Sequence, residues 1–332
     1  MPMIYIVSQS TKPQYNIAME EYCFKKLLKH NKVFMLWINE PSIIVGRHQN
    51  TIEEVNSQYV SENAIHVVRR ISGGGAVYHD LNNLNYTIIS NEEKGSEFDF
   101  KTFSEPVIET LKELGVEARF TGRNDLVIGE KKICGNAQAH IKGRVMHHGC
   151  ILFDTDLSVL SKALEIPKNF IESKSVKSVR SEVTNILPYL PEKIGVKEFS
   201  AAILRHVKRK FPEMTEYVFG EAELTEIEKN SHEKFSSWEW NYGRSPQFNI
   251  TRKTRFNAGK VQVLASVKNS VVEDIKFYGT FFGNNSDLSV VENALKGVKY
   301  TAGDVGNALS RIPVSEFFAG FTLDELVEAI ID

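Results

Sequence analysis

The run Arg69-Arg70-Ile71-Ser72-Gly73-Gly74-Gly75-Ala76-Val77-Tyr78-His79-Asp80 has the residue types of an anion grip. Three successive glycines remove Cβ bulk, so backbone N–H groups can approach an anion closely and adopt positive φ. Arg70 can add a bidentate guanidinium contact to a phosphate or carboxylate, with His79 and Asp80 as polar groups at the exit. The competing reading is a glycine-rich hairpin turn with a solvated arginine pair. No Gly-Lys-Ser/Thr follows, which excludes a Walker loop, and the glycine spacing differs from a dinucleotide fingerprint.

A second cluster joins Gly122-Arg123-Asn124-Asp125 to Lys131-Lys132-Ile133-Cys134-Gly135-Asn136. On a strand, alternation puts Lys132, Cys134 and Asn136 on one face. A lysine facing a cleft can neutralise charge developing on an acyl phosphate. Asn124 and Asp125 can hold ribose, magnesium or the lysine itself. A charged hairpin tip accounts for the same residues. In His147-His148-Gly149-Cys150, alternation pairs His148 with Cys150. Their readings are a core histidine and a buried small hydrophobe, or a nucleophilic thiol beside its base. Lys174, Lys177 and Arg180 lie in a polar stretch over 168–182 that reads as a mobile loop. They form either a solvated charge run or a lid over polyphosphate.

Strand and helix signals surround these clusters. Strands are expected at Met3–Val7, Val33–Ile38, Ile43–Val45, His66–Arg70, Ala76–His79, Leu84–Ile89, Leu126–Ile128, Lys132–Cys134 and Val145–Phe153. The pair flanking Gly73–Gly75 is expected to meet there. Asn16 is expected to cap a helix over Ile17–His30, and Phe100–Leu114 reads as a second helix. Further helices are expected over Lys197–Lys210 and Glu221–Phe235. A mixed sheet with helices against it fits this order. After the aromatic junction Trp238–Pro246, three β-like runs precede three helical ones. A small second unit over 246–332 is therefore expected to follow a larger one over 1–245.

The chain has 332 residues, 42% hydrophobic and 25% charged, with a net charge of -2. That charge disfavours a general nucleic-acid binder. Cys23, Cys134 and Cys150 are odd in number and widely spaced, which argues against a disulfide framework and suggests a reducing compartment. No apolar run approaches the ~20 residues of a membrane helix, and no secretory signal is evident. A cytoplasmic location is expected.

Taken together and in order, RRISGGGAVYHD (69–80), GRNDLVIGEKKICGNAQ (122–138), HHGCILF (147–153), KSVKSVRSEVTNI (174–186) and SSWEWNYGRSP (236–246) resemble the lipoate–protein ligase family. Asn16–Glu21 and Ile44–Asn50 match it as well, so the resemblance covers nearly the whole chain. It implies an α+β fold, with a mixed-sheet catalytic domain related to biotin protein ligases and class II synthetases and a small α+β C-terminal domain. The implied reaction has two steps: lipoate and ATP give lipoyl-AMP, and the lipoyl group passes to a lysine of an apo lipoyl carrier domain. Such carriers are an acyltransferase subunit of a 2-oxoacid dehydrogenase or the glycine-cleavage H protein. Magnesium accompanies ATP in this family, and Asp125 is the candidate ligand.

By the resemblance, Arg70 and the backbone of Gly75, Ala76, Val77 and Tyr78 contact the adenylate. Lys132 bridges acyl carbonyl and phosphate, with Asn124, Asp125 and His79 nearby. Lipoate is expected on Lys132, Arg70 and His148, with Trp37, Val45, Val77, Ile133 and Met146 as candidate apolar wall. The alternatives are an ATP-independent octanoyl or lipoyl amidotransferase using Cys150, and a non-catalytic lipoate-binding protein. Three residues depart from the family pattern: Asn82 where glycine is common, Cys134 where serine is usual, and Glu182 where an arginine is common.

Overall fold

The computed structural model describes residues 3–49, 51–91, 99–122, 124–141, 143–164, 182–242, 250–268 and 270–331. In chain order, β1 (Ile4–Val7), α1 (Pro13–Lys26), β2 (Lys32–Trp37) and β3 (Ser42–Val45) precede two short helices, α2 (Thr51–Glu54) and α3 (Ser57–Glu62). Then come β4 (His66–Arg69), β5 (Val77–His79), β6 (Asn83–Asn91), α4 (Phe100–Glu113) and β7 (Arg119–Phe120). The sequence continues with β8 (Asp125–Ile128), β9 (Lys131–Ile141), β10 (Arg144–Leu152), α5 (Leu157–Ala163) and α6 (Val196–Lys210). β11 (Thr215–Glu216), α7 (Glu221–Asn230), a π-helical turn (Ser231–Phe235) and α8 (Trp238–Asn241) end this part. The remainder is β12 (Ile250–Phe256), β13 (Gly259–Lys268), β14 (Val271–Gly279), α9 (Ser289–Leu295), α10 (Ala302–Leu309), α11 (Val314–Phe317) and α12 (Leu323–Ile331).

The main sheet has eight strands in the order β11-β1-β2-β6-β10-β9-β8-β7. It is mixed: β1 runs parallel to β11 and β2, and the other pairs are antiparallel. Alternation along β2 sends Phe34 and Leu36 to one face, where Val107 and Leu111 of α4 and Phe199 and Ile203 of α6 cover them. Val33, Met35 and Trp37 point to the other, under Ile17 and Met19 of α1 and Ile44 and Val68 of a smaller sheet. Both faces are therefore covered, which is why β2 reads as an unbroken apolar run.

The smaller sheet has the order β4-β3-β5, with β3 parallel to β4 and antiparallel to β5. The strands flanking Gly73–Gly75 do not pair with each other; β3 lies between them. The glycine run is thus a crossover over the end of β3 rather than a hairpin turn. The expected cap at Asn16 is also corrected. α1 starts at Pro13, and Asn16 is buried inside its first turn, donating to the carbonyls of Ser10 and Ile38 and to Asn39 Oδ1. Pro13 suits that start because its missing N–H is one that the first turn leaves unpaired anyway.

Strands β12-β13-β14 form a third, antiparallel sheet. With α9–α12 it encloses its own apolar cluster, including Val263, Phe277, Phe281, Phe318 and Leu326.

Candidate active site

Arg69 and Arg70 are both buried. Arg69 staples the segment after β3 to α8. It donates to the carbonyl oxygens of Gly46 (2.8 Å), Gln49 (2.6 Å) and Asn241 (3.0 Å) and to Thr51 Oγ1 (2.6 Å). Arg70 holds the glycine crossover itself. Its Nη2 donates to the carbonyls of Gly73 (2.5 Å) and Gly75 (2.8 Å), Nη1 to Ile44 O (3.0 Å) and Nε to Ser72 Oγ (2.9 Å). Burial pulls both guanidinium groups down to about 10, still charged at neutral pH. The carbonyls of residues 73 and 75 are therefore turned inward onto a cation. Gly74 adopts φ +88°, and a Cβ on Gly46 would sit 2.0 Å from its carbonyl oxygen, so glycine is required at both.

Behind the crossover runs a chain of buried polar groups. Ser72 Oγ lies 2.6 Å from His148 Nε2, and His148 Nδ1 lies 3.0 Å from Glu20 Oε1. Thr87 donates to the same Glu20 oxygen at 2.5 Å and accepts from the Trp37 indole at 2.9 Å. A second chain starts at Asn16, whose amide donates to Asn39 Oδ1 and so orients the Asn39 amide to donate to His79 Nδ1 at 3.1 Å. Burial lowers the His79 imidazole to about 3, with the nearby Arg70 and His148 adding to the effect. The ring is neutral, Nδ1 accepts, and the proton therefore sits on Nε2. Among the described residues, that Nε2 is buried without a hydrogen-bond partner, as is Asn85 Nδ2.

Both residues line a pocket of about 120 Å³. Around it stand Ile17, Trp37, Ile44, Val77 and Ala137 as apolar wall, and Arg70, Gly74–Ala76, Asn124, Lys132, His148 and Cys150. Of the expected wall, Trp37 and Val77 are present. Val45 lies in the cluster on the far side of the small sheet, Ile133 on the opposite face of the main sheet, and Met146 deeper in the core. Ile17, Ile44, Ala137 and Asn85 were not anticipated. Ile44, Asn85 and Ala137 lie on strands whose pairing the sequence does not reveal, and Ile17 on α1, whose docking it does not reveal either.

The shared face expected for Lys132, Cys134 and Asn136 is corrected by a bulge. Val127 pairs with Lys132 but Leu126 pairs with Cys134, so Ile133 is the extra residue. Lys132 is thereby turned to the pocket face, where its Nζ lies over Gly135. Cys134 and Asn136 point to the other face. There Asn136 Oδ1 accepts from Tyr86 at 2.6 Å and lies 3.3 Å from His147 Nε2. Lys132 Nζ is 2.8 Å from Asp125 Oδ1, a contact that is ionic rather than a well-aligned hydrogen bond. Asn124 ties the turn to β9, donating to Asn136 O at 2.9 Å.

Cys150 lines the pocket too, but burial pushes its thiol up to about 11. Asn83 donates to its sulfur at 3.2 Å, and the two nitrogens of His148 face Ser72 and Glu20 instead. The thiol is protonated at neutral pH and has no base within hydrogen-bond reach among the described residues, which disfavours a thioester mechanism. Tyr78 is buried and faces the larger cavity next to the pocket.

The three departures fit locally. Asn82 is exposed with ordinary negative φ, so nothing there requires glycine. Cys134 is a buried thiol in the core. Glu182 forms an ion pair with Lys131 at 2.7 Å, while its carbonyl accepts from the backbone N–H of Lys132 at 2.8 Å. Lys174, Lys177 and Arg180 lie outside the described residues. No group of three or more His, Cys, Asp or Glu arranged for a metal occurs among the described residues. No helix among them is long and apolar enough to cross a membrane.

Residues 12–208 match the family model described as the lipoyl protein ligase A/B catalytic domain, and residues 245–330 match the bacterial lipoate protein ligase C-terminus. The chain is 42% identical to lipoate–protein ligase LplJ of Bacillus subtilis over 331 residues, covering 99% of this chain and 100% of that one. Among solved structures it is similar to P. falciparum LipL1 in complex with lipoate, with 25% identity, a TM-score of 0.80 and 99% of each chain covered. It is also similar to a lipoate–protein ligase A bound with ATP, with 27% identity, a TM-score of 0.62, and 73% of this chain and 98% of that one covered. Motif order, fold and full-length similarity agree: the chain belongs to the lipoate–protein ligase family.

Proposed function

We infer that this protein is an ATP-dependent lipoate–protein ligase. A lipoate carboxylate oxygen attacks the α-phosphorus of ATP, the bond to the β-phosphate oxygen breaks, and pyrophosphate leaves. A carrier lysine amine then attacks the acyl carbon of lipoyl-AMP, and AMP leaves with the adenylate oxygen. The observation that carries this reading is the convergence of Lys132 and the Gly75–Val77 backbone on one pocket with an apolar wall. Lys132 supplies positive charge where the carboxylate, and later the mixed anhydride, meets phosphate. Arg70 acts here through the loop, fixing the crossover whose N–H groups face the adenylate. Ile17, Trp37, Ile44 and Val77 take the aliphatic chain, and His148 shapes the floor through Ser72 and Glu20.

Magnesium belongs to this reading as the partner of ATP. It would sit mainly on phosphate oxygens and water, with Asp125 the carboxylate at hand beside Lys132. Acceptors are apo lipoyl domains of 2-oxoacid dehydrogenase acyltransferase subunits or the glycine-cleavage H protein. Residues 1–245 form the catalytic unit and 246–332 the accessory one. Three unpaired buried thiols suit a cytoplasmic location.

The test is purified protein with ATP, magnesium and lipoate, read first as lipoyl-AMP and then as mass shift on a panel of apo carriers. In the Lys132→Ala variant, adenylate formation should fall by about 10²–10³-fold while the fold is retained. Adenylate formation within twofold of wild type, or a wild type that prefers biotin, would remove the assignment.

A further inference from the structure

The pocket opens into a larger cavity of about 1070 Å³ between the catalytic part and the third sheet. Gly75–Tyr78 and Lys132 line one side of it, and Lys253, Arg255 and Lys260 the other. The register of β12 and β13 sets Arg255 directly opposite Lys260, with Lys253 two residues along on the same face. Like charges directly opposite one another on a sheet are destabilising. Neither Arg255 nor Lys260 has an ion-pair partner among the described residues. Of the two carboxylates lining the cavity among the described residues, Glu182 is engaged by Lys131 at 2.7 Å and Glu54 ends α2 on the catalytic side. Among the described residues of the catalytic side, Arg69 and Arg70 are buried in backbone contacts, and Lys132 is the cation that lines the cavity. Among the described residues, the further positive charge that a triphosphate on the glycine crossover would meet lies on the accessory sheet.

We propose that Arg255 and Lys260 bind the β- and γ-phosphates of ATP, and the pyrophosphate they become, so that the accessory unit is part of the activation site. The proposal rests on the ligase reading above and assigns the far end of the same nucleotide. An anion between two opposed cations removes the repulsion that the empty pair carries, and Arg255 contributes a planar fork suited to phosphate oxygens. Transfer of the acyl group to a carrier involves no polyphosphate, so the pair serves the first step alone.

The experiment uses the full chain and separates the steps. Lipoate-dependent ATP–pyrophosphate exchange reads activation, and chemically supplied lipoyl-AMP with an apo lipoyl domain reads transfer. In Arg255→Ala/Lys260→Ala, the KM for ATP should rise about tenfold or more and inhibition by added pyrophosphate should weaken by a similar factor. Transfer from lipoyl-AMP should stay within about twofold, and Arg255→Lys/Lys260→Arg should restore the ATP KM. Pyrophosphate should raise the melting temperature of wild type and not of the double alanine variant. Unchanged ATP KM and pyrophosphate inhibition would overturn the proposal. So would an equal loss in transfer, which would mark the pair as a docking surface for the acidic face of a carrier. A wild type without lipoate-dependent exchange would instead overturn the ligase reading itself.

Discussion

His48, His79 and His147 are buried and held neutral. Burial lowers His48 and His79 to about 3, with nearby arginines adding to the effect, and drives His147 well below its ordinary 6.5. In each case the unfolded chain binds a proton that the folded chain refuses, so stability rises with pH between the two values. The contribution is complete above 6.5 and is lost as pH falls toward 3. Each histidine should therefore cost about 1.4 kcal/mol per pH unit below that point. Urea titrations between about pH 7 and pH 5 should show stability falling on acidification, and a flat or rising profile would contradict their buried neutral state. Cys150 gives a sharper test of chemistry. Its thiol is raised by burial and has no base beside it, so Cys150→Ser should keep ATP-dependent ligation within about threefold. Complete loss together with a trapped thioester in wild type would restore the amidotransferase alternative.

At the scale of elements, the site depends on how a few backbone segments cross. Gly73 lies against the third sheet's side of the interface: a Cβ there would be 2.3 Å from Phe281 O and 3.3 Å from the Phe282 ring. Gly73→Ala should therefore displace the accessory unit from the crossover while leaving the main sheet intact. The expected signature is a several-fold loss of adenylate formation with a melting temperature lowered by only a few degrees. A full-strength variant would mean that the interface gives way easily. Strands such as Val33–Trp37, an apolar run ahead of a Pro-containing turn, were legible, whereas the two-residue β7 and β11 were not expected and β9 runs over Lys131–Ile141 where only Lys132–Cys134 was expected. Motif order singled out Arg70, Gly75–Val77, His79, Asn124, Lys132 and His148, which the fold brings together on one pocket. Pairing was not legible. That β3 separates β4 from β5, and that Ile133 bulges, are properties of long-range register with no local signal. α2, α3 and α5 escaped notice because four to seven residues give too few turns for a helical period.

At the scale of the whole molecule, the accessory unit meets the catalytic unit at the glycine crossover and beside it. The Gly279 N–H donates to His48 O at 2.5 Å, the His48 and Phe281 rings stack at 4.8 Å, and Phe282 meets Phe100 at 5.6 Å. Interactions of these kinds contribute about 1 kcal/mol each. Differential substrate binding of that size can shift the equilibrium between closed and open forms. The closed form suits activation, because it sets the cations of β12 and β13 across from Gly75–Tyr78. Transfer has the opposite requirement, since a carrier lysine must reach an acyl carbon lying under the same cover. Phe282 is the residue with which to separate these demands. It lies outside the fully buried core of its own unit, and its ring touches Phe100 and the space over Gly73 and Gly74. Phe282→Ala should open the molecule. The expected outcome is a larger radius of gyration by small-angle X-ray scattering, a several-fold higher KM for ATP, and transfer from supplied lipoyl-AMP that is unchanged or faster. A scattering profile and ATP KM equal to those of wild type would show that the closed form does not depend on this ring. Slower transfer would show that closure serves the second step as well as the first.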